Sequence, residues 1–367
     1  MVYYKKFDNG LRLVVHKMAG LFTVSCGVLV KTGSVNETDS EHGISHFIEH
    51  SLFKGTEKRT AFEISDYVDR IGAQINAYTS KETTCFYTKS TAEHFEDSLS
   101  VLSDIFFNSA LKQTELDKEK GVVVEEINMC EDEPEDLCLD LLAESFYGKD
   151  GLGRTILGTA KNVKSFSRAD LLRYMDKYYT ADNVVVSVAG NVDEKKAEEF
   201  AEKYFASKFT RFTSAPQRQA ECGIPQKLYR TKRTEQSHIG LCMPAVSVKD
   251  ERGIALNIAN TVFGGGMSSR LFQRIREDMG LAYSIYSYMS TYKDSGVLEI
   301  YAGVNTSARE SAEAAIAEEI KKIAASGVTE QEFLRGKEQI KSAFIMGQES
   351  TASQMLLYGR YLLMLDK

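Results

Sequence analysis

The stretch His46-Phe47-Ile48-Glu49-His50 places two imidazoles and a carboxylate within about one helical turn. On an α-helix, positions i, i+3 and i+4 share one face, with Cβ atoms about 5–6 Å apart. Two imidazoles at this spacing can bind one Zn2+ at about 2.0–2.1 Å, and a neighbouring glutamate can take a proton from its water. The spacing therefore predicts His46 and His50 as zinc ligands and Glu49 as a general base.

The main alternative for this string is a solvated helix face that binds no metal. With 6 histidines in 367 residues, an H-x-x-E-H string is expected by chance in roughly 0.01 of such chains. The string is the reverse of H-E-x-x-H and matches the inverzincin signature. It therefore favours metal chemistry, but other residues must complete the site.

A third metal ligand is needed, because a catalytic zinc usually has three protein ligands and a water. No other histidine lies in a convincing companion motif, so we expect a carboxylate. The best candidates are Glu125 and Glu126, in a helical pattern at 113–131. Glu119 lies seven residues before Glu126 and would share its helix face, where it could support a ligand. Neighbouring acidic residues fit a solvated face equally well, so periodicity leaves the choice open.

Composition and charge narrow the classes of function. A chain of 367 residues with 43% hydrophobic and 26% charged residues is ordinary for a soluble protein and long enough for two domains. The net charge of −7 argues against a general nucleic-acid binder and against a basic membrane-surface protein. We see no apolar run of 18 residues and no secretory signal, and six scattered cysteines fit reduced thiols. We therefore expect a cytoplasmic protein that spans no membrane.

The elements that must position the motif are visible as patterns around it. Four β-branched or alternating runs predict strands, at 11–17, 22–31, 73–79 and 83–90. We expect the first two to be neighbours and the last two to form a hairpin. The pair Asp39-Ser40 predicts the cap of the helix that carries the motif.

The second half of the chain repeats this order of elements. Thr91 after the first hairpin corresponds to Thr306 after the second, an offset of 215 residues. The divergent repeat predicts a first domain at 1–210, a linker at 211–226 and a second domain at 227–367. The second copy has no histidine opposite the motif. It also ends before counterparts of the first copy's last elements, so we expect it to be truncated at its C-terminus.

The sequence resembles the pitrilysin-type zinc peptidases in several motifs. H-F-I-E-H at 46–50 matches their zinc motif, and the family's distal glutamate ligand, 76 residues past the second histidine, falls on Glu126. The supporting glutamate of the family falls on Glu119, and the stretch 153–158 resembles the processing-peptidase subgroup. The resemblance implies one Zn2+ per chain, held by His46, His50 and Glu126.

The same resemblance implies a fold and a substrate-binding side. It implies two tandem homologous α+β domains of the LuxS/metallohydrolase type, each a mostly antiparallel sheet packed with helices on one face. Asn76 and Ala77 match the family's edge strand, which pairs with an extended substrate. Arg276 and Tyr283 match a pair that contacts substrate and helps to stabilise the tetrahedral intermediate. Without the resemblance, these residues would be read as a hairpin strand, a helix end and a core tyrosine.

The expected activity is that of a zinc endopeptidase acting on peptides or unfolded segments. Family members have four such repeats and this chain has at most two, so we expect a homodimer or a heterodimer with a homologous subunit, enclosing a chamber. The main alternative is a non-catalytic subunit or scaffold of a heterodimeric processing peptidase. A zinc hydrolase with a non-peptide substrate is a further alternative, against which the edge strand argues.

Overall fold

The computed structural model describes residues 2–149, 151–209, 215–216 and 226–366. Strands among the described residues are β1 (Val2–Lys6), β2 (Arg12–Lys17), β3 (Thr23–Val30), β4 (Gln74–Thr79), β5 (Thr84–Thr91), β6 (Val184–Gly190), β7 (Gln236–Pro244), β8 (Ala282–Thr291) and β9 (Gly296–Asn305). The α-helices are α1 (Ile44–Leu52), α2 (Ala61–Arg70), α3 (Phe95–Asn108), α4 (Gln113–Asp132), α5 (Pro134–Tyr147), α6 (Ala160–Ser165), α7 (Arg168–Tyr178), α8 (Glu194–Tyr204), α9 (Gly253–Phe263), α10 (Arg309–Ser326), α11 (Glu330–Gln348) and α12 (Thr351–Leu365). None of these helices combines the length and apolar character that a membrane span requires.

The described residues form two compact units that interleave along the chain. The first unit comprises those within Met1–Ile127, Thr155–Arg218 and Gly347–Lys367, and the second those within Asn128–Arg154 and Gln219–Met346. This differs from two domains in simple succession, because α12 packs with the first unit and α5 with the second. The proposed linker at 211–226 falls mostly outside the described residues and stays a prediction.

The first unit is built on a six-stranded sheet in the order β1-β2-β6-β3-β5-β4. β6 lies between β2 and β3, parallel to β2 and antiparallel to β3, so the expectation that β2 and β3 are neighbours is wrong. Every residue of β6 is buried. A continuous apolar run of this kind is typical of a central strand, which explains why it inserts between two strands that are close in sequence. The predicted hairpin is present as β4 and β5.

Helices cover both faces of this sheet. The larger core contains Phe47, Ile48 and Leu52 of α1 together with residues of β2, β3, β5 and β6. The second, smaller core packs Met355 and Leu363 of α12 against the opposite face of the sheet. The α+β class with sheets packed by helices is confirmed. The helix on the second face was not expected, and the apolar residues that alternate along the strands explain it.

The second unit has a three-stranded antiparallel sheet in the order β7-β9-β8. Its core includes Ile275, Ile300 and Ile316, which are buried among the sheet and the helices that follow it. Helix α5 packs on β7, where Gly240 allows close approach to Cys138 and Leu142. A π-helix, Phe272–Asp278, precedes β8 and carries Arg276.

Candidate metal centre

Helix α1 presents the motif because its two faces differ in polarity. Ile44, Phe47, Ile48 and Leu52 are buried and share one face, which anchors the helix in the core of the first unit. His46, Glu49 and His50 project from the other face, as their spacing predicts. The hydrophobic packing of one face therefore fixes the direction of the polar groups on the other.

The start of α1 is fixed by Glu37, which the sequence reading missed. The expected cap at Asp39-Ser40 is wrong: the N-cap residue is Gly43, with φ of 96°. The Glu37 carboxylate accepts hydrogen bonds from the backbone N–H groups of Gly43 and Ser45, at 2.8 and 2.9 Å. A side chain at residue 43 would meet the Leu157 carbonyl oxygen at 2.6 Å. A buried anion at the positive end of the helix and a tight glycine contact thus set the helix origin.

His46, His50 and Glu126 come together, with one ligand atom from each lying within 4.8 Å of the others. The Glu126 Oε2 atom lies 3.7 Å from Nε2 of His46 and 3.5 Å from Nε2 of His50. Ligand atoms around a tetrahedral zinc are about 3.3 Å apart, so the group fits Zn2+ with small adjustments. Glu125 is exposed on the same helix, so between the two candidates the geometry favours Glu126.

Glu119 supports His50 from behind the candidate ligand group. Its Oε1 lies 2.8 Å from Nδ1 of His50, and its Oε2 accepts from Nζ of Lys54 at 2.8 Å. Burial would raise the pKa of Glu119, but hydrogen bonds from His50 and Lys54 outweigh it and lower the pKa. An ionised Glu119 holds a proton on His50 Nδ1, which leaves Nε2 as the nitrogen that can bind a metal.

The two histidines have opposite pKa shifts although they share one helix face. Burial, followed by the neighbouring His50, lowers the pKa of His46 to about 4. Burial also acts to lower the pKa of His50, but the hydrogen bond to Glu119 and the charge of Glu126 outweigh it and raise the pKa. His46 is therefore neutral near pH 7 and needs to lose no proton before it binds a cation.

Glu49 sits between these histidines and is held by the edge strand. Its Oε2 accepts a hydrogen bond of 2.6 Å from the Thr79 hydroxyl. Burial raises the pKa of Glu49, and the bond from Thr79 partly opposes this rise. A carboxylate with a raised pKa beside a metal site is suited to accept a proton and release it again.

The strand β4 forms the open edge of the sheet beside α1. The hydrogen bond of 2.8 Å from Ser80 N–H to the Thr83 carbonyl identifies residues 80 and 83 as a hydrogen-bonded pair. Pairs alternate in an antiparallel ladder, so the backbone groups of Thr79 and Ala77 face away from β5. In agreement, the Ala77 N–H donates to the Asn76 side chain at 2.8 Å. At this edge the backbone groups of Ala77 and Thr79, with the Asn76 side chain beside them, thus face away from β5, where another strand could pair.

Arg276 and Tyr283 also come together, within the second unit. The Arg276 guanidinium lies 4.7 Å from the centre of the Phe272 ring and 5.4 Å from that of the Tyr283 ring. Tyr283 is 77% exposed, so it is not the core tyrosine of the alternative reading. Cation–π contacts hold the Arg276 charge beside an accessible phenol. Phe272 was not singled out from the sequence.

Two further residues at the site were missed, Thr79 and Lys54. Each acts on a predicted residue through one hydrogen bond between elements: Thr79 on Glu49, and Lys54 on Glu119. A threonine at a strand end and a lysine after a helix are common, and only the folded chain shows their partners. The one signal for Thr79 was its place in the predicted edge strand.

The two α+β units match the models of one peptidase family. A family model described as insulinase (peptidase family M16) matches residues 13–160, and one described as the peptidase M16 inactive domain matches residues 165–340. The chain belongs to peptidase family M16, the pitrilysin-type family, as the sequence predicts.

Relatives and solved structures agree with this assignment. The uncharacterized zinc protease YmxG of Bacillus subtilis is 44% identical over 360 residues, which cover 98% of this chain and 88% of that protein. An uncharacterized zinc protease of Streptomyces coelicolor is 35% identical over 363 residues, covering 96% of this chain and 78% of that protein. The crystal structure of a protease from Helicobacter pylori has a TM-score of 0.93 and 24% identity, covering 100% of this chain and 90% of that chain, and shows the shared fold.

Proposed function

We propose that the chain is a zinc-dependent endopeptidase that hydrolyses peptides or unfolded segments. The observation that carries this proposal is the convergence of His46, His50 and Glu126, two of which lie on the helix that also carries Glu49. Two imidazoles and one carboxylate are a ligand set of catalytic zinc sites, which leave one position for water or substrate. The names of the relatives as zinc proteases support the same activity.

Different residues of the chain would bind the metal, transfer the proton and orient a ligand. When bound, Zn2+ supplies Lewis-acid polarisation, and Nε2 of His46, Nε2 of His50 and the Glu126 carboxylate would hold one ion per chain. Glu49 removes a proton from the attacking water and passes it to the leaving amine. Glu119 keeps His50 in the tautomer that binds through Nε2.

The open edge of β4 would bind the substrate. An extended peptide adding to this edge would pair with the backbone of Ala77, and the Asn76 side chain would leave the Ala77 N–H to make room. Main-chain pairing makes little demand on side chains, so the proposed substrates are extended rather than defined by one sequence. The proposal extends the role of substrate contact to Arg276 and Tyr283 on the basis of the family resemblance.

The proposal includes assembly and location. Enclosure of the site in a chamber formed by a homodimer, or by a heterodimer with a homologous subunit, would favour short or unfolded substrates over folded proteins. The mass of the protein in solution tests this part. No nucleic acid or membrane takes part, and the proposed location is the cytoplasm.

A second candidate is a non-catalytic subunit of a heterodimeric peptidase. The description of the model over residues 165–340 as an inactive domain favours it. It predicts that purified protein binds no stoichiometric zinc, whereas an enzyme binds one ion per chain.

The function is tested by hydrolysis of a fluorogenic, unstructured peptide. We expect cleavage by the wild-type protein, loss of cleavage with a chelator and recovery on adding Zn2+. Glu126→Gln should lower zinc affinity by at least about tenfold, because it removes a charged ligand. Glu125→Gln is the matched control, since Glu125 is an exposed neighbour on α4. Chelator-resistant cleavage, or equal zinc affinity in the two variants, would contradict the proposal.

A further inference from the structure

The edge strand β4 and the helix α1 are joined by one side-chain hydrogen bond at the proposed active site. The Thr79 hydroxyl donates to Oε2 of Glu49 at 2.6 Å. Thr79 is the last residue of β4, and Glu49 lies between the two histidines of α1. In the sequence, the only signal for Thr79 was its place in the predicted edge strand.

The side chain of Thr79 faces α1, and its backbone faces the open edge of the sheet. Side chains two residues apart on a strand share a face, so Thr79 lies on the same face as Ile75 and Ala77, which pack toward the core containing α1. Tyr78 packs on the opposite face. The backbone of Thr79 faces the open edge of the sheet, since its pair with Thr84 follows the hydrogen-bonded pair at residues 80 and 83.

We propose that Thr79 is a positioning residue for the general base, and that it ties the orientation of Glu49 to the strand that receives the substrate. This inference rests on the proposed peptidase function. The hydroxyl holds Oε2, so the carboxylate plane is fixed and Oε1 is the oxygen that takes the proton from water. The bond persists when Oε1 is protonated, because Oε2 then still accepts as a carbonyl oxygen.

The steric role of Thr79 can be separated from its hydrogen bond. Thr79→Val keeps the branched shape and removes the donor, while Thr79→Ser keeps the donor and removes a methyl group. Thr91→Val is a matched control on the neighbouring strand β5, where the Thr91 hydroxyl donates to exposed Glu93 at 3.3 Å. All three variants are compared as full chains loaded with zinc.

We expect Thr79→Val to lower kcat about tenfold with KM changed less than about twofold, the size expected when one positioning hydrogen bond is lost. Thr79→Ser should recover most of kcat, and Thr91→Val should match the wild type. Zinc content and the thermal midpoint should be the same in all four proteins. A base held in place affects kcat, whereas a merely structural role would move zinc content or the midpoint as well.

Three results would overturn the inference. These are an unchanged kcat in Thr79→Val, a kcat in Thr79→Ser as low as in Thr79→Val, or a fall in kcat accompanied by loss of zinc. If the wild-type protein itself shows no chelator-sensitive cleavage, the proposed function fails and this inference fails with it. If the wild type cleaves and Thr79→Val cleaves equally well, only the role of Thr79 is lost.

Discussion

At the scale of single residues, the candidate site contains three glutamates whose carboxylates have different contacts. Glu126 faces both Nε2 atoms, Glu119 bonds Nδ1 of His50, and Glu49 is held by Thr79. Burial raises the pKa of Glu49, whereas hydrogen bonds lower that of Glu119. Different surroundings thus suit one glutamate to proton transfer and another to permanent charge.

The role of Glu119 can be tested by zinc affinity. Glu119→Gln should weaken zinc binding about tenfold to a hundredfold, because the amide is a poorer acceptor for the His50 Nδ1 proton. Competition with a chromogenic chelator measures the dissociation constant. Glu115→Gln is the control, since Glu115 lies on the same helix and pairs with the exposed Lys118. Equal affinities in the two variants would show that Glu119 does not support the metal.

Many of the residues at the candidate site could be predicted from the sequence, but not all of them. The helical spacing of His46 and His50 is a local property, so one string of five residues sufficed. The choice of Glu126 over Glu125 needed the family resemblance, because both lie on a largely acidic helix. Thr79 and Lys54 could not be predicted, since each acts across two elements whose packing is not encoded in a local pattern.

At the scale of elements, helix ends are fixed by specific polar contacts. Glu37 caps α1 in the first unit. In the second unit, Arg270 makes two bonds of 2.7 Å to Glu332 in the first turn of α11, and a third of 3.0 Å to the Gly327 carbonyl. A bidentate pair that also binds a helix start joins two segments more firmly than a single exposed ion pair does.

This pair predicts a pH-dependent contribution to stability. The hydrogen bond from Arg270 is the main cause that lowers the pKa of Glu332 from 4.5 to about 2. A lowered folded-state pKa stabilises the fold above the unfolded-state pKa, and the stabilisation is lost as pH falls toward about 2. Arg270→Met should therefore lower the free energy of unfolding at pH 7 by about 2 kcal/mol, and by less at pH 3.

Urea unfolding of the apo-protein at both pH values measures this effect. Lys341→Met is the control, because Lys341 makes an exposed pair of 3.4 Å with Glu338 on α11. It should change the free energy of unfolding by less than about 0.5 kcal/mol at either pH. A loss in Arg270→Met that is equal at pH 7 and pH 3 would assign the effect to packing rather than to the ion pair.

Local sequence patterns predicted the strands and helices better than they predicted which strands lie next to each other. The hairpin of β4 and β5 and the long helix α4 follow from turn residues and periodicity. The insertion of β6 between β2 and β3 joins residues far apart in sequence, and no local pattern reports such a pairing. The cap of α1 was misplaced for a different reason: the carboxylate that accepts from the Gly43 N–H belongs to Glu37, six residues earlier, and not to a residue next to the helix.

At the scale of the whole molecule, the chain is a family M16 protein built from two interleaved units. The internal repeat predicted two domains, and the contribution of α12 to the first unit and of α5 to the second could not be predicted from it. The unit with which a helix packs depends on contacts between residues that are far apart in sequence. The H-x-x-E-H motif lies in the first unit, and Arg276 and Tyr283 lie in the second.

The central claim is that Glu49 acts as the base beside a zinc held by His46, His50 and Glu126. The most direct measurement is zinc content and peptide cleavage in one preparation of Glu49→Gln, compared with the wild type. The amide keeps the size of the side chain but cannot accept the proton. We predict one Zn2+ per chain in both proteins and a fall in kcat of at least about a hundredfold in the variant. Cleavage by Glu49→Gln at the wild-type rate would contradict the account.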